Sequence, residues 1–117
     1  MLLNCDLGES VGDRPVGDDA AIMPFIDQAN IACGFHGGDP LVMRKTIELA
    51  KASAVLIGAH PSYPDREGFG RTSMSLPREE LIGILHYQVA ALDGMAGDLN
   101  TRRVNATKLD HAVNCRT

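Results

Sequence analysis

The chain has 117 residues, which is enough for one domain with a hydrophobic core of its own. Its formal net charge is −4, aromatic residues make up 4% and tryptophan is absent, so we expect neither a basic phosphate-binding surface nor a base-stacking surface. The first residues hold no basic region and no long apolar run, and the three cysteines lack a CxxC spacing, which predicts no signal peptide, no membrane span and reduced thiols in the cytoplasm.

The first third of the chain predicts two short strands with an irregular connection. Residues 1–5 predict a short buried strand. A loop follows and continues as far as residue 19, where Asp18 or Asp19 can cap a short helix over residues 20–26. Residues 29–33 predict the second strand.

The middle of the chain contains the strongest helix signal. Asp39 is a favourable N-cap, and Pro40 suits the first helical position, so we expect a helix over residues 41–53. Its predicted inward face consists of Leu41, Val42, Lys45, Thr46, Leu49 and Ala50.

A third strand, a long loop and a second long helix follow. The strand is predicted over residues 55–59 and the polar loop over residues 61–75. Pro77 is expected to open a helix that reaches about Met95. The predicted apolar face of this helix consists of Leu81, Ile84, Leu85, Gln88, Val89 and Leu92.

The alternation of strands and helices predicts an α/β fold with parallel strands and right-handed crossovers. A β/α barrel of eight units needs about 250 residues. The chain therefore predicts a partial (β/α) barrel. Residues 97–117 show no clean strand or helix pattern and are expected to form a tail.

Side chains that can carry chemistry follow the predicted strands. Asp6 and Glu9 follow the first strand, and they could bind a cation, act as general acid and base, or cap local amides. His36 and His60 follow the next two strands at equivalent places, which favours a shared site over two structural histidines. Because parallel strands end at one edge, these side chains are expected to line one cleft.

Two kinds of ligand fit this arrangement. Asp6, His36 and His60 would offer a facial set of nitrogen and oxygen ligands for Zn, Mn or Fe. The free amides of residues 37–40, at a helix start, could instead hold an anion. No GxxxxGK[ST] motif is present, which argues against ATP binding in the P-loop manner.

Other polar residues have open interpretations. Arg66 or Arg71, on the loop after His60, could bind a substrate carboxylate, or the loop could simply be solvated. His86 is interpreted as a histidine on a helix surface. Cys33 is expected to be a buried small side chain, although a thiol near two histidines could be reactive.

Several segments resemble the LamB/YcsF family, the family of the 5-oxoprolinase A subunits. Three of them are long: NCDLGE at residues 4–9, ANIACGFH at 29–36 and IGAHPSYPD at 57–65. Shorter matches lie at residues 17–19, 38–40, 68–71 and 87–88. They occur in order from residue 2 to about residue 92, so the resemblance is specific.

The resemblance implies a β/α barrel-like fold related to sugar deacetylases and glycoside hydrolases. It also implies ATP-dependent hydrolytic opening of 5-oxoproline to glutamate, together with partner subunits B and C, which could be the subunits that bind ATP. The catalytic residues expected from it are Asp6, Glu9, His36 and His60. The expected substrate-binding residues are Asn30, Tyr63, Asp65 and Arg71.

The chain also departs from the family. Members are about twice this length, as a near-complete barrel requires, and residues 108–114 are a poor counterpart of their Lys-Pro-His-Gly-Ala-Leu type motif. We therefore expect residues 1–96 to represent the N-terminal half of the barrel and residues 97–117 a divergent tail. Open strand edges would then favour self-association or a partner chain. Two alternatives stay open, a metal-dependent amidohydrolase or deacetylase and a non-catalytic remnant.

Overall fold

The computed structural model describes residues 2–97, which form three strands and the helices that follow them. In chain order the elements are β1 (Asn4–Leu7), α1 (Asp19–Ile22) with a 3-10 turn at Met23–Phe25, β2 (Gln28–Ala32), α2 (Pro40–Ala52), β3 (Leu56–His60) and α3 (Arg78–Gly97). Gly97, the first residue of the predicted tail, is instead the last residue of α3. The rest of the tail, with the counterpart motif at residues 108–114 and Cys115, lies outside the described residues. No helix within residues 2–97 is long and apolar enough to cross a membrane.

The sheet has the order β1-β2-β3, and both pairs of strands are parallel, so the predicted α/β class is confirmed. The register places Asp6 beside Asn30 and Asn30 beside Gly58. Further along, Ala32 lies beside His60. All three strands therefore end at one edge, and the loops that follow them share that edge.

The two faces of the sheet differ in chemistry because side chains alternate along each strand. One face carries the apolar side chains Cys5, Leu7, Ala29, Ile31, Ile57 and Ala59, and it packs on α2 and α3 in the core. The opposite face carries Asn4, Asp6, Gln28, Asn30 and His60. A sheet with helices on one side and polar groups on the other is typical of the wall of a β/α barrel, whose active site lies at the carboxyl ends of the strands.

Helix α2 begins as predicted, with Asp39 as N-cap and Pro40 in the first turn. Its inward face agrees with the prediction at Thr46 and Ala50 and differs at other positions. Buried side chains are Met43, Thr46, Ile47 and Ala50, whereas Leu41 is 59% exposed. The prediction included Leu41, which is apolar but lies on the outer part of the helix, and omitted Met43 and Ile47.

The predicted first strand is wrong in its position. Leu2 and Leu3 are exposed, and pairing with β2 begins at Asn4. The backbone of Leu3 instead bonds to Asp27, through its amide to Oδ2 at 2.7 Å and through its carbonyl to the Asp27 amide at 2.8 Å. The apolar residues at the N-terminus led to a predicted strand that begins too early, because Leu2 and Leu3 are not buried in the sheet.

The short helix also differs from its prediction. Asp18 is the N-cap and accepts a hydrogen bond from the Ala21 amide, but the α-helix ends at Ile22. Pro24 cannot donate an amide to the preceding turn, so the chain tightens into a 3-10 turn. The other elements lie within one or two residues of their predicted bounds.

Candidate functional site

Three side chains meet at the carboxyl edge of the sheet, and we call them the Glu9–His36–His60 cluster. Glu9 lies in the loop after β1, His36 lies in the loop after β2, and His60 is the last residue of β3. Each residue offers one ligand atom, and these atoms lie within 4.8 Å of one another. The expectation that His36 and His60 share one cleft agrees with this placement.

The shortest contact in the cluster joins His36 to Glu9. Nε2 of His36 lies 2.7 Å from Oε2 of Glu9, and both side chains are largely buried, with 3% and 12% exposure. The ring centroids of His36 and His60 are 4.6 Å apart. Because a carboxylate only accepts hydrogen bonds, Glu9 favours the neutral tautomer of His36 that carries its proton on Nε2. The Nδ1 atom of His36 is buried without a hydrogen-bond partner in the described part of the chain.

Close approach between two backbone segments brings Glu9 to His36. The amide of Gly38 donates to the carbonyl of Glu9 at 3.2 Å. Gly38 has a φ of +78°, and a Cβ atom there would lie 2.5 Å from the carbonyl oxygen of Gly8. A Cβ atom on Gly37 would lie 2.9 Å from the carbonyl oxygen of Glu9. The loops after β1 and β2 therefore approach each other only because glycines occupy these positions.

Asp6 lies beside the cluster on the polar face of the sheet. Its Oδ1 atom is 3.9 Å from Nδ1 of His60 and accepts a hydrogen bond from Nδ2 of Asn30 at 3.2 Å. Asn30 is fully buried, and it also donates to Asn4 and accepts from Gln28. Asn30 thus supports Asp6 from within the sheet, and its role in substrate binding stays a prediction.

The predicted metal set of Asp6, His36 and His60 stays a prediction, and within residues 2–97 the donor atoms that lie within 4.8 Å of one another belong to Glu9, His36 and His60. Gly8, with a φ of +70°, turns the chain after β1 and brings Glu9 over His36. The nitrogen and oxygen donors suit Zn, Mn or Fe. However, two ligands of one tetrahedral zinc lie roughly 3.3 Å apart, so the 2.7 Å contact is that of a hydrogen bond.

The alternative of an anion at residues 37–40 is disfavoured, because amides at the helix start already have partners. Asp39 accepts from the Val42 amide at 2.9 Å and from the Gly12 amide at 3.0 Å, while the Gly38 amide bonds to Glu9. These hydrogen bonds, first that from Val42, lower the pKa of the Asp39 carboxyl. The start of α2 is therefore capped by a carboxylate of the chain itself.

The loop after His60 is ordered by its own side chains. Both carboxylate oxygens of Asp65 accept backbone amides, Oδ1 from Gly68 and Oδ2 from Thr72. Nη2 of Arg66 donates to the carbonyls of Gly34 and Gly38, at 2.6 and 3.0 Å. The geometry thus disfavours Asp65 as a substrate ligand and Arg66 as a substrate clamp.

Two predicted substrate-binding residues on this loop keep their interpretation. Tyr63 is half-buried and Arg71 is exposed. Their substrate-binding roles stay predictions.

Burial separates the remaining candidates. Burial raises the pKa of the Cys33 thiol to about 12, so the interpretation as a buried small side chain is favoured over that of a reactive thiol. Burial also raises the pKa of Asp19, whose Oδ2 atom accepts from the Gly8 amide at 2.9 Å. His86 is exposed on α3, as predicted.

Two residues near the cluster are not singled out for it by the sequence. Gln88, predicted as part of an apolar face, is fully buried and bonds to both the amide and the carbonyl of Ser62, at 2.9 and 2.8 Å. It fixes the backbone two residues after His60. Phe69 contacts the His36 ring edge-on at 4.9 Å. A glutamine within an apolar helix stripe is the signal that could have identified Gln88.

Comparison with known proteins gives consistent matches. The model of the LamB/YcsF family matches residues 1–114. The chain is 64% identical over 95 residues to the 5-oxoprolinase A subunit of Pseudomonas fluorescens strain Pf-5, and 54% identical over 98 residues to the 5-oxoprolinase A subunit of Vibrio cholerae. The matches cover 81% and 84% of this chain but 38% and 40% of those proteins, so the chain spans well under half of their length.

A solved structure agrees in fold. The lactam utilization protein from Thermus thermophilus superposes with a TM-score of 0.83 at 44% sequence identity. The match covers 86% of this chain and 41% of that protein. The described residues therefore have the fold of one part of that protein, which is consistent with the predicted partial barrel.

Proposed function

The chain belongs to the LamB/YcsF family, and on this premise we propose that its Glu9–His36–His60 cluster takes part in the hydrolytic opening of 5-oxoproline to glutamate. The observation that carries the proposal is the buried contact of 2.7 Å between Glu9 and His36, next to His60 at the carboxyl edge of the sheet. Relatives named as 5-oxoprolinase A subunits and a lactam utilization protein support the substrate class.

The two histidines have different tasks in this proposal. His60 is the general base that takes a proton from the attacking water. Its side chain is 18% exposed and therefore more accessible than that of His36, which is 3% exposed. Asp6 stabilises the imidazolium that forms, because its carboxylate lies 3.9 Å from Nδ1 of His60. Glu9 holds the ring of His36, which packs beside the ring of His60 at a centroid distance of 4.6 Å.

A lactam is stable, so coupling to ATP is chemically sensible. Phosphorylation of the lactam oxygen would make the ring carbon electrophilic, and this activation is what ATP supplies. The sequence of this chain contains no P-loop motif, so we assign ATP binding to partner subunits B and C. We place this protein in the cytoplasm, because the proposed reaction consumes ATP.

The substrate carboxylate needs a cation, because Asp6 and Glu9 make the cluster acidic. Nη2 of Arg66 is already bonded to two carbonyls, so we assign the carboxylate to Arg71, with Tyr63 on the same loop. An arginine can bind a carboxylate through two parallel hydrogen bonds. Arg71→Lys should therefore raise KM more than it lowers kcat.

Glutamate release from 5-oxoproline tests the proposal. The chain is mixed with ATP and with subunits B and C from Pseudomonas fluorescens, and each component is also omitted in turn. We expect glutamate only from the complete mixture, and a loss of about 100-fold or more with His60→Ala. His86→Ala is the matched control, since His86 is exposed on α3. Absence of glutamate from every mixture would contradict the proposal and favour the non-catalytic remnant.

Partner binding has its own physical basis. Within residues 2–97 the sheet has three strands, so β1 and β3 each have an outer edge that no described strand pairs with. Open edges favour association with another chain. Sedimentation velocity should show a larger species when subunits B and C are added, or self-association without them. A strictly monomeric chain in both samples would contradict this.

The second candidate is a metal-dependent amidohydrolase or deacetylase, which the close grouping of Glu9, His36 and His60 favours. Zn or Mn would be held by one carboxylate oxygen and two imidazole nitrogens, once Glu9 and His36 move apart to ligand spacing. The bound ion would polarise an amide carbonyl. Stoichiometric Zn in the purified chain, lost in Glu9→Gln, together with amide hydrolysis without ATP, would favour this candidate over the first.

A further inference from the structure

We propose that Arg66 is a positioning residue for His36 and that it fixes which ring nitrogen of His36 carries the proton. This inference rests on the proposed function, since it concerns the same cluster. The observation is a set of contacts from one short turn, residues 65–70, to both ends of the loop that carries His36 and to the ring itself.

The loop that carries His36 starts and ends at glycines with positive φ, +85° at Gly34 and +78° at Gly38. It is closed by a hydrogen bond from the Gly34 amide to the Gly37 carbonyl at 3.1 Å. Nη2 of Arg66 donates to the carbonyls of Gly34 and Gly38. One guanidinium nitrogen thus ties together the two ends of the loop on either side of His36.

Arg66 is itself held in place. The turn is closed by Asp65, which accepts amides from Gly68 and Thr72 through its side chain, and the Gly70 amide bonds to the Asp65 carbonyl at 2.7 Å. The Asp65 amide bonds to the carbonyl of Phe35, the residue before His36, at 3.2 Å. Arg66 therefore donates from a rigid turn that is anchored to the loop it positions.

The same turn covers the ring of His36. Phe69 presents an edge-on contact at 4.9 Å, and a Cβ atom on Gly70 would lie 2.9 Å from Cβ of His36. Loss of the two Arg66 hydrogen bonds would let the loop ends separate and the ring leave Glu9. His36 would then exchange between its two neutral tautomers, because the bond to Glu9 is what selects the proton on Nε2.

The test is imidazole nitrogen NMR on the whole chain, which needs no catalysis. Spectra are recorded at a pH high enough to keep imidazoles neutral, where His36 of the wild type should show one Nε2–H tautomer with two widely separated nitrogen signals. Arg66→Ala should cause loss of that separation for His36 and leave His86 unchanged. Arg66→Lys should restore it in part, since an ammonium can also donate two hydrogen bonds. Arg44→Ala is the matched control, because Arg44 is exposed on α2 and pairs with Glu48.

The outcomes are distinct. A folded Arg66→Ala chain with the wild-type His36 signals overturns the proposal. If circular dichroism shows that Arg66→Ala does not fold, the test uses Arg66→Met, which keeps the aliphatic part of the side chain. The same loss of separation between the His36 nitrogen signals is expected. Failure of both variants to fold also overturns the proposal, because Arg66 would then serve the fold as a whole. If the wild type releases no glutamate in the complete mixture, while Arg66→Ala still changes the His36 signals as expected, the result counts against the proposed function alone.

Discussion

Glu9 and His36 are 27 residues apart in the chain, yet Nε2 of His36 lies 2.7 Å from Oε2 of Glu9. The contact depends on how closely the loops after β1 and β2 approach each other. Their backbones touch at Gly38, whose amide donates to the Glu9 carbonyl. The cluster is therefore a product of backbone packing between two loops as much as of side-chain chemistry.

Gly38→Ala should destabilise the chain and disturb the cluster. The new Cβ atom would lie 2.5 Å from the Gly8 carbonyl oxygen, in a backbone with a φ of +78°. We expect a loss of about 1–3 kcal/mol in the free energy of unfolding. Gly83→Ala is the control, because nothing lies within 4 Å of its Cβ position inside α3, and it should stabilise by about 0.5–1 kcal/mol. If urea unfolding shows the same change in stability for Gly38→Ala and Gly83→Ala, the close approach at Gly38 does not matter for stability.

Gln88→Met should destabilise the loop that follows His60. Methionine fills a similar volume but removes the hydrogen bonds that Gln88 makes to the amide and the carbonyl of Ser62. The expected cost is about 1–3 kcal/mol, as for a buried polar group without a hydrogen bond. Glu80→Ala, on the exposed part of α3, should change stability by less than about 0.5 kcal/mol. Thermal unfolding of both variants measures these changes. An unchanged stability of Gln88→Met would show that the hydrogen bonds between Gln88 and Ser62 do not stabilise the chain.

Much of this fold can be predicted from local patterns. Asp39 and Pro40 predict the start of α2, and strand–helix alternation predicts the parallel sheet. His60 at a strand end is likewise a local feature. The contact between Glu9 and His36 could not be predicted, because it depends on the φ angles of Gly8 and Gly38 and on loop packing that no periodicity encodes.

Other differences between sequence and structure have the same origin. The sequence predicts substrate binding for Asn30, which stays a prediction, and the pairing of β1 with β2 buries it beside Asp6. Arg66 is a candidate substrate clamp by sequence, but tertiary packing directs it to backbone carbonyls. Sequence patterns indicate which polar residues lie near the sheet edge. They do not indicate which of these residues contact substrate and which support their neighbours.

Cys33 should resist alkylation in the folded chain. Burial raises the pKa of its thiol to about 12, so almost no thiolate exists at neutral pH. We expect iodoacetamide to modify Cys33 much more slowly than the half-buried Cys5, as measured by mass spectrometry of the peptides. Unfolding in guanidinium should remove the difference. Fast modification of Cys33 in the native chain would revive the reactive-thiol interpretation.

Asp39 should contribute a pH-dependent stability at acid pH. Hydrogen bonds from the amides of Val42 and then Gly12 lower its folded pKa below the unfolded value of about 3.9. The folded state therefore binds fewer protons, and the contribution is complete above that unfolded value and is lost as the pH falls through the folded pKa. Asp39→Asn keeps the N-cap but cannot titrate, so its unfolding free energy should fall less steeply with acid than that of the wild type. Identical slopes in urea titrations would contradict the assignment.

Lactam binding by the Glu9–His36–His60 cluster is tested most directly by titrating the chain with 5-oxoproline and following the imidazole signals of its histidines. We expect saturable shifts of His36 and His60, no shift of His86, and loss of the His60 response in Arg71→Ala. Proline, which lacks the lactam carbonyl, should produce smaller shifts at equal concentration. Absence of shifts at His36 and His60, or shifts confined to His86, would contradict the claim that this cluster binds a lactam.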